Sequence, residues 1–184
     1  MALTPSTMLP LGTLAPPFSL PDVVSGNTLE LARLKSAQAT LVMFICNHCP
    51  YVKHVRAQLV QLARDYQPRG AAIIAISSND AQKYPEDAPA RMRETALEHH
   101  YPFVYLYDET QEVARAYRAA CTPDFFLFDG ALKLAYRGQL DDSRPGNGKP
   151  VTGRDMRSAL DALLAGRAPS PEQQPSVGCN IKFR

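Results

Sequence analysis

No apolar run in the 184-residue sequence approaches the roughly 18 residues that span a bilayer as a helix, so a transmembrane segment is not expected. The opening stretch, MALTPSTMLPLGTLAPPFSL, lacks a basic leader, and Pro10, Pro16 and Pro17 interrupt its apolar residues, which does not read as a signal peptide. No basic block stands out and the net charge is only +2, so an electrostatic footprint for nucleic acid or an anionic membrane is missing. There is no internal repeat. Cysteine is scarce, at four residues, and the default address is cytoplasmic, where structural disulfides are rare and a cysteine pair is more often catalytic or metal-binding.

What is present is ordinary for a globular chain, with 45% apolar and 21% charged residues. The length fits one domain over residues 1–184, with a Pro-rich arm at 1–17 and a Pro-rich, polar tail at 167–184. FSLPDVVSGNTLEL places apolar patches on either side of Ser25–Gly26–Asn27, the pattern of a short hairpin. TLVMFI at 40–45 and AAIIAIS at 71–77 are continuous apolar runs, as expected of strands buried on both faces. Between them Val52, Val55, Leu59, Leu62, Ala63 and Tyr66 recur at helical spacing until Pro68–Arg69–Gly70 stops the helix.

Residues 78–92 read as a loop leading into a helix that ends near His99, with FVYLYD a third strand and residues 110–119 a helix. DFFLFD and LKLAYRG, separated by Asp129–Gly130, predict a hairpin, and GRDMRSALDALLAG a last amphipathic helix. This order implies an α/β fold, a central mixed sheet flanked by helices. Its parallel part is joined by right-handed crossovers, and the closing hairpin adds antiparallel strands.

The chemistry is concentrated in CNHCPYVKH, residues 46–54, at the junction of the first central strand and its helix. In open α/β sheets that carboxyl end is where ligands and reactions usually sit. Near a helix N-terminus unpaired N–H groups and the helix dipole favour a thiolate, which predicts Cys46 as the low-pKa nucleophile and Cys49 as its more buried partner. Pro50 is tolerated in the first turn, and His48 can add positive charge beside Cys46.

A zinc site needs two further ligands, and although His48, His54, Cys121 and Cys179 are available in number, no second CxxC or HxxxH exists. The couple is therefore read as redox-active, with no cofactor and no metal expected, and a zinc-holding binding protein kept as the alternative from another class. His54 reads as a packing histidine and Lys53 as a solvated helix lysine.

GTLAPPFSL, MFICNHCPYVKHV, YLYDETQEVARAY, CTPDFFLFD and GCNIKF together resemble the thioredoxin superfamily, specifically its peroxiredoxin-like branch, the alkyl hydroperoxide reductase and thiol-specific antioxidant group. The resemblance covers nearly the whole chain and implies a thioredoxin-like fold. It also implies a cis-proline facing the dithiol, at Pro123 with Thr122 before it, and an antioxidant or disulfide-exchange activity.

The departures from the family pattern are specific. Peroxiredoxins carry P-x-x-x-T-x-x-C, whereas V-M-F-I-C-N-H-C puts Cys46 at the threonine, has no proline four before it, and aligns Cys49 with the peroxidatic cysteine. The thioredoxin pattern W-C-G-P-C is missed as well, with Ile45 for tryptophan and Asn47–His48 for Gly–Pro. This favours thiol–disulfide exchange, with a peroxidase using Cys49 as the alternative. The implied partners are a protein or small-molecule disulfide or a peroxide, with a thioredoxin-type reductant.

Cys121 is either a third redox thiol or, the preferred reading, a small buried side chain. Cys179 stays open between a resolving thiol and a residue of a docked tail. The loop at 138–150 either borders the site or is merely surface.

Overall fold

The computed structural model describes residues 3–184, so the first two residues of the expected arm lie outside the described part. Strand β1 (Leu3–Pro5) comes first. The hairpin of β2 (Ser19–Pro21) and β3 (Thr28–Glu30) and a single helical turn, α1 (Leu31–Leu34), follow. Then β4 (Ala39–Phe44), α2 (Pro50–Tyr66), β5 (Ala71–Ser77), α3 (Pro89–Glu98), β6 (Val104–Tyr107) and α4 (Glu112–Ala116) alternate. The chain closes with β7 (Cys121–Thr122), β8 (Asp124–Asp129), β9 (Leu134–Tyr136), α5 (Arg154–Leu164) and β10 (Val177–Asn180).

The main sheet has the order β6-β5-β4-β8-β9. β4, β5 and β6 run parallel, and β8 and β9 are antiparallel additions, as the sequence implied. β4 is buried along its whole length, which explains its unbroken apolar composition. Because strand side chains alternate, Leu41 and Met43 join Val52, Val55, Leu59 and Leu160 on one face, while Val42 and Phe44 join Phe18, Leu31, Ala114 and Tyr117 on the other. Burying each large apolar side chain there contributes about 1.5–3 kcal/mol. Pro50 opens α2 where an N–H is not needed, and Gly70 at φ +101° ends the 3-10 turn (Gln67–Arg69) that follows it.

The helix expected at 110–119 is only five residues long, Glu112–Ala116, because Arg118 turns left-handed at φ 52°. The second difference is larger. The tail is not merely a docked segment: β10 pairs antiparallel with β1 on one side and β7 on the other. Strands of two to four residues carry too little alternation to be recognised by pattern. Their register, Cys179 opposite Thr122, brings the tail cysteine to the end of β4. No helix of the described residues is long and apolar enough to cross a membrane.

Candidate active site

β4 ends at Phe44, and five residues later Cys49 forms the N-cap of α2. This corrects the sequence expectation in one respect. Cys49 stands at the helix terminus, and Cys46 lies in the connecting loop before it. The loop is held by its neighbours on all sides. Asn47 donates its side-chain amide to the Glu86 carbonyl and accepts from the Tyr105 hydroxyl, while Arg56 of α2 donates to the Asn47 carbonyl.

Asp87 is the hub of this arrangement, fully buried. Its carboxylate accepts the Asn47 N–H at 2.8 Å, the His48 N–H at 3.3 Å and the Asn79 amide at 2.8 Å, and it meets His48 Nδ1 at 2.5 Å. The His48 pKa is raised, first by that hydrogen bond, although burial opposes it. Burial likewise works against the Asp87 charge, but the His48 and Asn79 hydrogen bonds outweigh it and its pKa is lowered. The His48 ring also stacks on Tyr84 at 5.2 Å.

Asp87 and Asn79 were not among the residues singled out from the sequence, where residues 78–92 read only as a loop. A topological signal was available. Parallel pairing of Phe44 with Ile76 places the loop after β5 beside the end of β4.

The sulfurs lie just beneath the surface, Cys46 at 2% exposure and Cys49 at 0%. Opposite them the Thr122–Pro123 bond is cis. Thr122 touches both sulfurs: its Oγ1 is 3.5 Å from Cys46 Sγ, and its carbonyl oxygen accepts from Cys49 Sγ at 3.2 Å. Cys49 Sγ is also 2.8 Å from Cys179 Sγ, so the tail cysteine belongs to the cluster. Cys121 does not. It is opposite Asn180 rather than Cys179, and its thiol turns to the Pro123 carbonyl at 3.5 Å. Burial above all pushes the Cys121 pKa up, as for an inert core thiol.

The pKa order within the cluster reverses the sequence expectation. A hydrogen bond from Cys46 lowers the Cys49 pKa most; burial opposes it, and Cys179, Thr122 and the Val52 N–H at the helix start add to the lowering. The Cys46 pKa is held well above the usual value by the same hydrogen bond, then by burial and the nearby Asp87 charge. Burial and the bond to Cys49 raise Cys179. These directions favour loss of the Cys49 proton ahead of those of Cys46 and Cys179.

Cys46, His48 and Asp87 offer ligand atoms within 4.8 Å of one another. A cation bound there has to open the 2.5 Å contact between His48 and Asp87, because two ligands of one tetrahedral zinc at ~2.0–2.1 Å stand roughly 3.3 Å apart. The donor set fits a hydrogen-bonded positioning network better than a metal cage.

His54 packs at the side of the site with Nε2 2.8 Å from Ser143 Oγ, and Lys53 is solvated. Ser143 and Arg144 of the 138–150 loop line a pocket with Tyr51, His54 and Pro123, so this loop does border the site.

Comparison with known proteins bears on the family and the fold. The model of the AhpC/TSA family matches residues 11–137. No curated protein matches the chain. A crystal structure of an uncharacterized conserved protein from Geobacillus kaustophilus is 60% identical, with a TM-score of 0.99 over 100% of this chain and 97% of that one. A hypothetical protein from Sinorhizobium meliloti 1021 is 50% identical, with a TM-score of 0.96 over 98% of each chain. The thioredoxin domain of a thiol-disulfide oxidoreductase from Bacteroides vulgatus is 20% identical, with a TM-score of 0.59 over 71% of this chain and 91% of that one. This last likeness concerns the fold, which is thioredoxin-like.

Proposed function

The chain belongs to the AhpC/TSA family, and from that premise we propose that it is a thiol–disulfide oxidoreductase whose couple is Cys46 and Cys49. The observation that carries this reading is the contact of both sulfurs with Thr122, at 3.5 Å for Cys46 and 3.2 Å for Cys49, and in the proposed couple the two share one proton. In the reduced state that proton rests on Cys46. When it passes to Cys49, Cys46 becomes the attacking thiolate, with the His48 ring within 4.8 Å. Attack on a substrate disulfide forms a Cys46 mixed disulfide and releases one substrate thiolate. Cys49 gives up its proton readily, because its surrounding donors stabilise the anion. It then attacks the Cys46 sulfur and expels the second substrate thiolate. Two electrons leave the dithiol, and a Cys46–Cys49 disulfide remains.

Cys46 is assigned the attack because it lies in the loop ahead of α2, whereas Cys49 is packed against the Thr122 carbonyl and Cys179. Thr122 and Pro123, which face both sulfurs, position the incoming substrate. The substrate is a protein or small-molecule disulfide, and a thioredoxin-type protein restores the dithiol.

One observation favours a second reading. Cys49 combines the helix N-cap with the lowered pKa, as a peroxide-reducing sulfur requires. Its thiolate would attack the peroxide, leave as sulfenic acid with release of water or alcohol, and condense with Cys46, releasing water. Against this, none of the groups hydrogen-bonded to Cys49 among the described residues is an arginine or lysine that could stabilise the departing oxygen.

Mass spectrometry of Cys49→Ser protein exposed to disulfide substrates separates the two. Exchange predicts mixed disulfides trapped on Cys46. Their absence, with rapid formation of sulfenic acid on Cys49 in Cys46→Ser protein, selects the peroxidase.

A further inference from the structure

We propose that Cys179 is a third redox thiol, which takes the disulfide over from Cys46 to form a Cys49–Cys179 bond. The proposal rests on the Cys46–Cys49 couple above and extends it into the C-terminal strand. Its basis is the 2.8 Å separation of the Cys49 and Cys179 sulfurs, inside the roughly 3.5–4.0 Å of ordinary nonbonded contact. Cys49 is the sulfur that the other two share: Cys179 lies against it, and Cys46 is its partner in the couple.

The placement of Cys179 is built into the fold. β10 carries it opposite Thr122, the residue that also contacts Cys46 and Cys49. This approach depends on Gly178, where a Cβ would stand 2.0 Å from the Thr122 carbonyl oxygen. The neighbouring strand β7 holds a competitor, Cys121, but turns it to the Pro123 carbonyl instead.

The step is an isomerisation and balances without an added oxidant. The Cys179 thiol loses its proton and its sulfur attacks Cys49 Sγ of the Cys46–Cys49 disulfide. A Cys49–Cys179 bond forms, the Cys46–Cys49 bond breaks, and the electron pair leaves on Cys46, which takes up a proton. The substrate disulfide that created the first bond has supplied all the oxidation. The result is a buried disulfide that ties α2 to the tail strand, with Cys46 again a thiol. Reduction of this form by an outside thiol proceeds through return of the bond to Cys46, so Cys179 acts as a store for the oxidising equivalent.

Peptide mapping without reduction, after oxidation with diamide, tests the proposal on the native chain, where a Cys49–Cys179 linked peptide is expected besides the Cys46–Cys49 one. Cys46→Ser retains three of the four cysteines, and its oxidation should leave one titratable thiol in denaturant, that of Cys121. Three remaining thiols, or only mixed and intermolecular disulfides at Cys49, overturn the relay. Cys179→Ser, whose hydroxyl still faces Cys49, should form the Cys46–Cys49 disulfide alone. If it folds by circular dichroism yet forms no such disulfide, the couple itself is wrong and the relay falls with it.

Discussion

At Cys49 the helix terminus and the two neighbouring thiols act on one sulfur, and this local arrangement decides where the reduced site keeps its charge. The ultraviolet absorbance of thiolate at neutral pH should correspond to one sulfur in the native protein. It should survive in Cys46→Ser, where a hydroxyl replaces the donor, and vanish in Cys49→Ser. Survival in the second and loss in the first would return the charge to Cys46. The His48–Asp87 pair carries a second residue-scale prediction. With its pKa raised above 6.5, His48 contributes stability that is full below that value and lost as pH rises through the folded pKa. With its pKa lowered below 3.8, Asp87 contributes stability present above that value and lost as pH falls through the folded pKa. Asp87→Asn should therefore cost about 3 kcal/mol in the mildly acidic window between, since it leaves a buried partner uncompensated. Chemical denaturation across pH should show that difference narrowing at both ends, and a constant difference would remove the ion pair from the account.

The elements differ in how plainly their sequences announce them. β4 and β5 are legible as unbroken apolar runs of strands buried on both faces, and α2 by apolar residues recurring at helical spacing, which together place the site at the β4–α2 junction. The cis bond before Pro123 was legible only through resemblance to a family, since CTPDFF alone is compatible with either isomer. The sheet of β1, β10 and β7 was not legible. Neither was the hub at Asp87, whose role comes from a crossover that joins loops distant in sequence. The CxxC spacing alone does not show that the N-cap falls to the second cysteine. Gly178→Ala tests the tail element directly. Its methyl group would meet the Thr122 carbonyl, so β10 must lift away from β7. Alkylation of Cys179 in the folded protein should become faster than in the native chain, with little change at Cys121. Unchanged protection of Cys179 would show that the strand does not depend on this close approach.

Across the whole molecule, the chemistry hangs from the centre of the sheet. Asp124 follows the cis-proline directly, begins β8 beside β4, and pairs with Arg137 just beyond β9, both side chains fully buried. Arg137 also donates to the Phe125 carbonyl and lies over the Phe126 ring at 3.8 Å, so one cation ties the outer strands to the Thr122–Pro123 turn. Asp124→Asn should lower global stability by roughly 3 kcal/mol, a fall in Tm on the order of 6–12 °C, seen alike by fluorescence and circular dichroism. A smaller change confined to one probe would mean that the pair supports only its own corner. The central claim is that the folded chain presents Cys46 and Cys49 as a couple for disulfides. Stopped-flow mixing of the reduced protein with a model protein disulfide and, separately, with hydrogen peroxide at equal concentrations tests it most directly. Faster oxidation by the disulfide, ending in a Cys46–Cys49 bond, lost in Cys46→Ser and halted at a Cys46 mixed disulfide in Cys49→Ser, is the result expected. Faster oxidation by peroxide, retained in Cys46→Ser with sulfenic acid on Cys49, would contradict it.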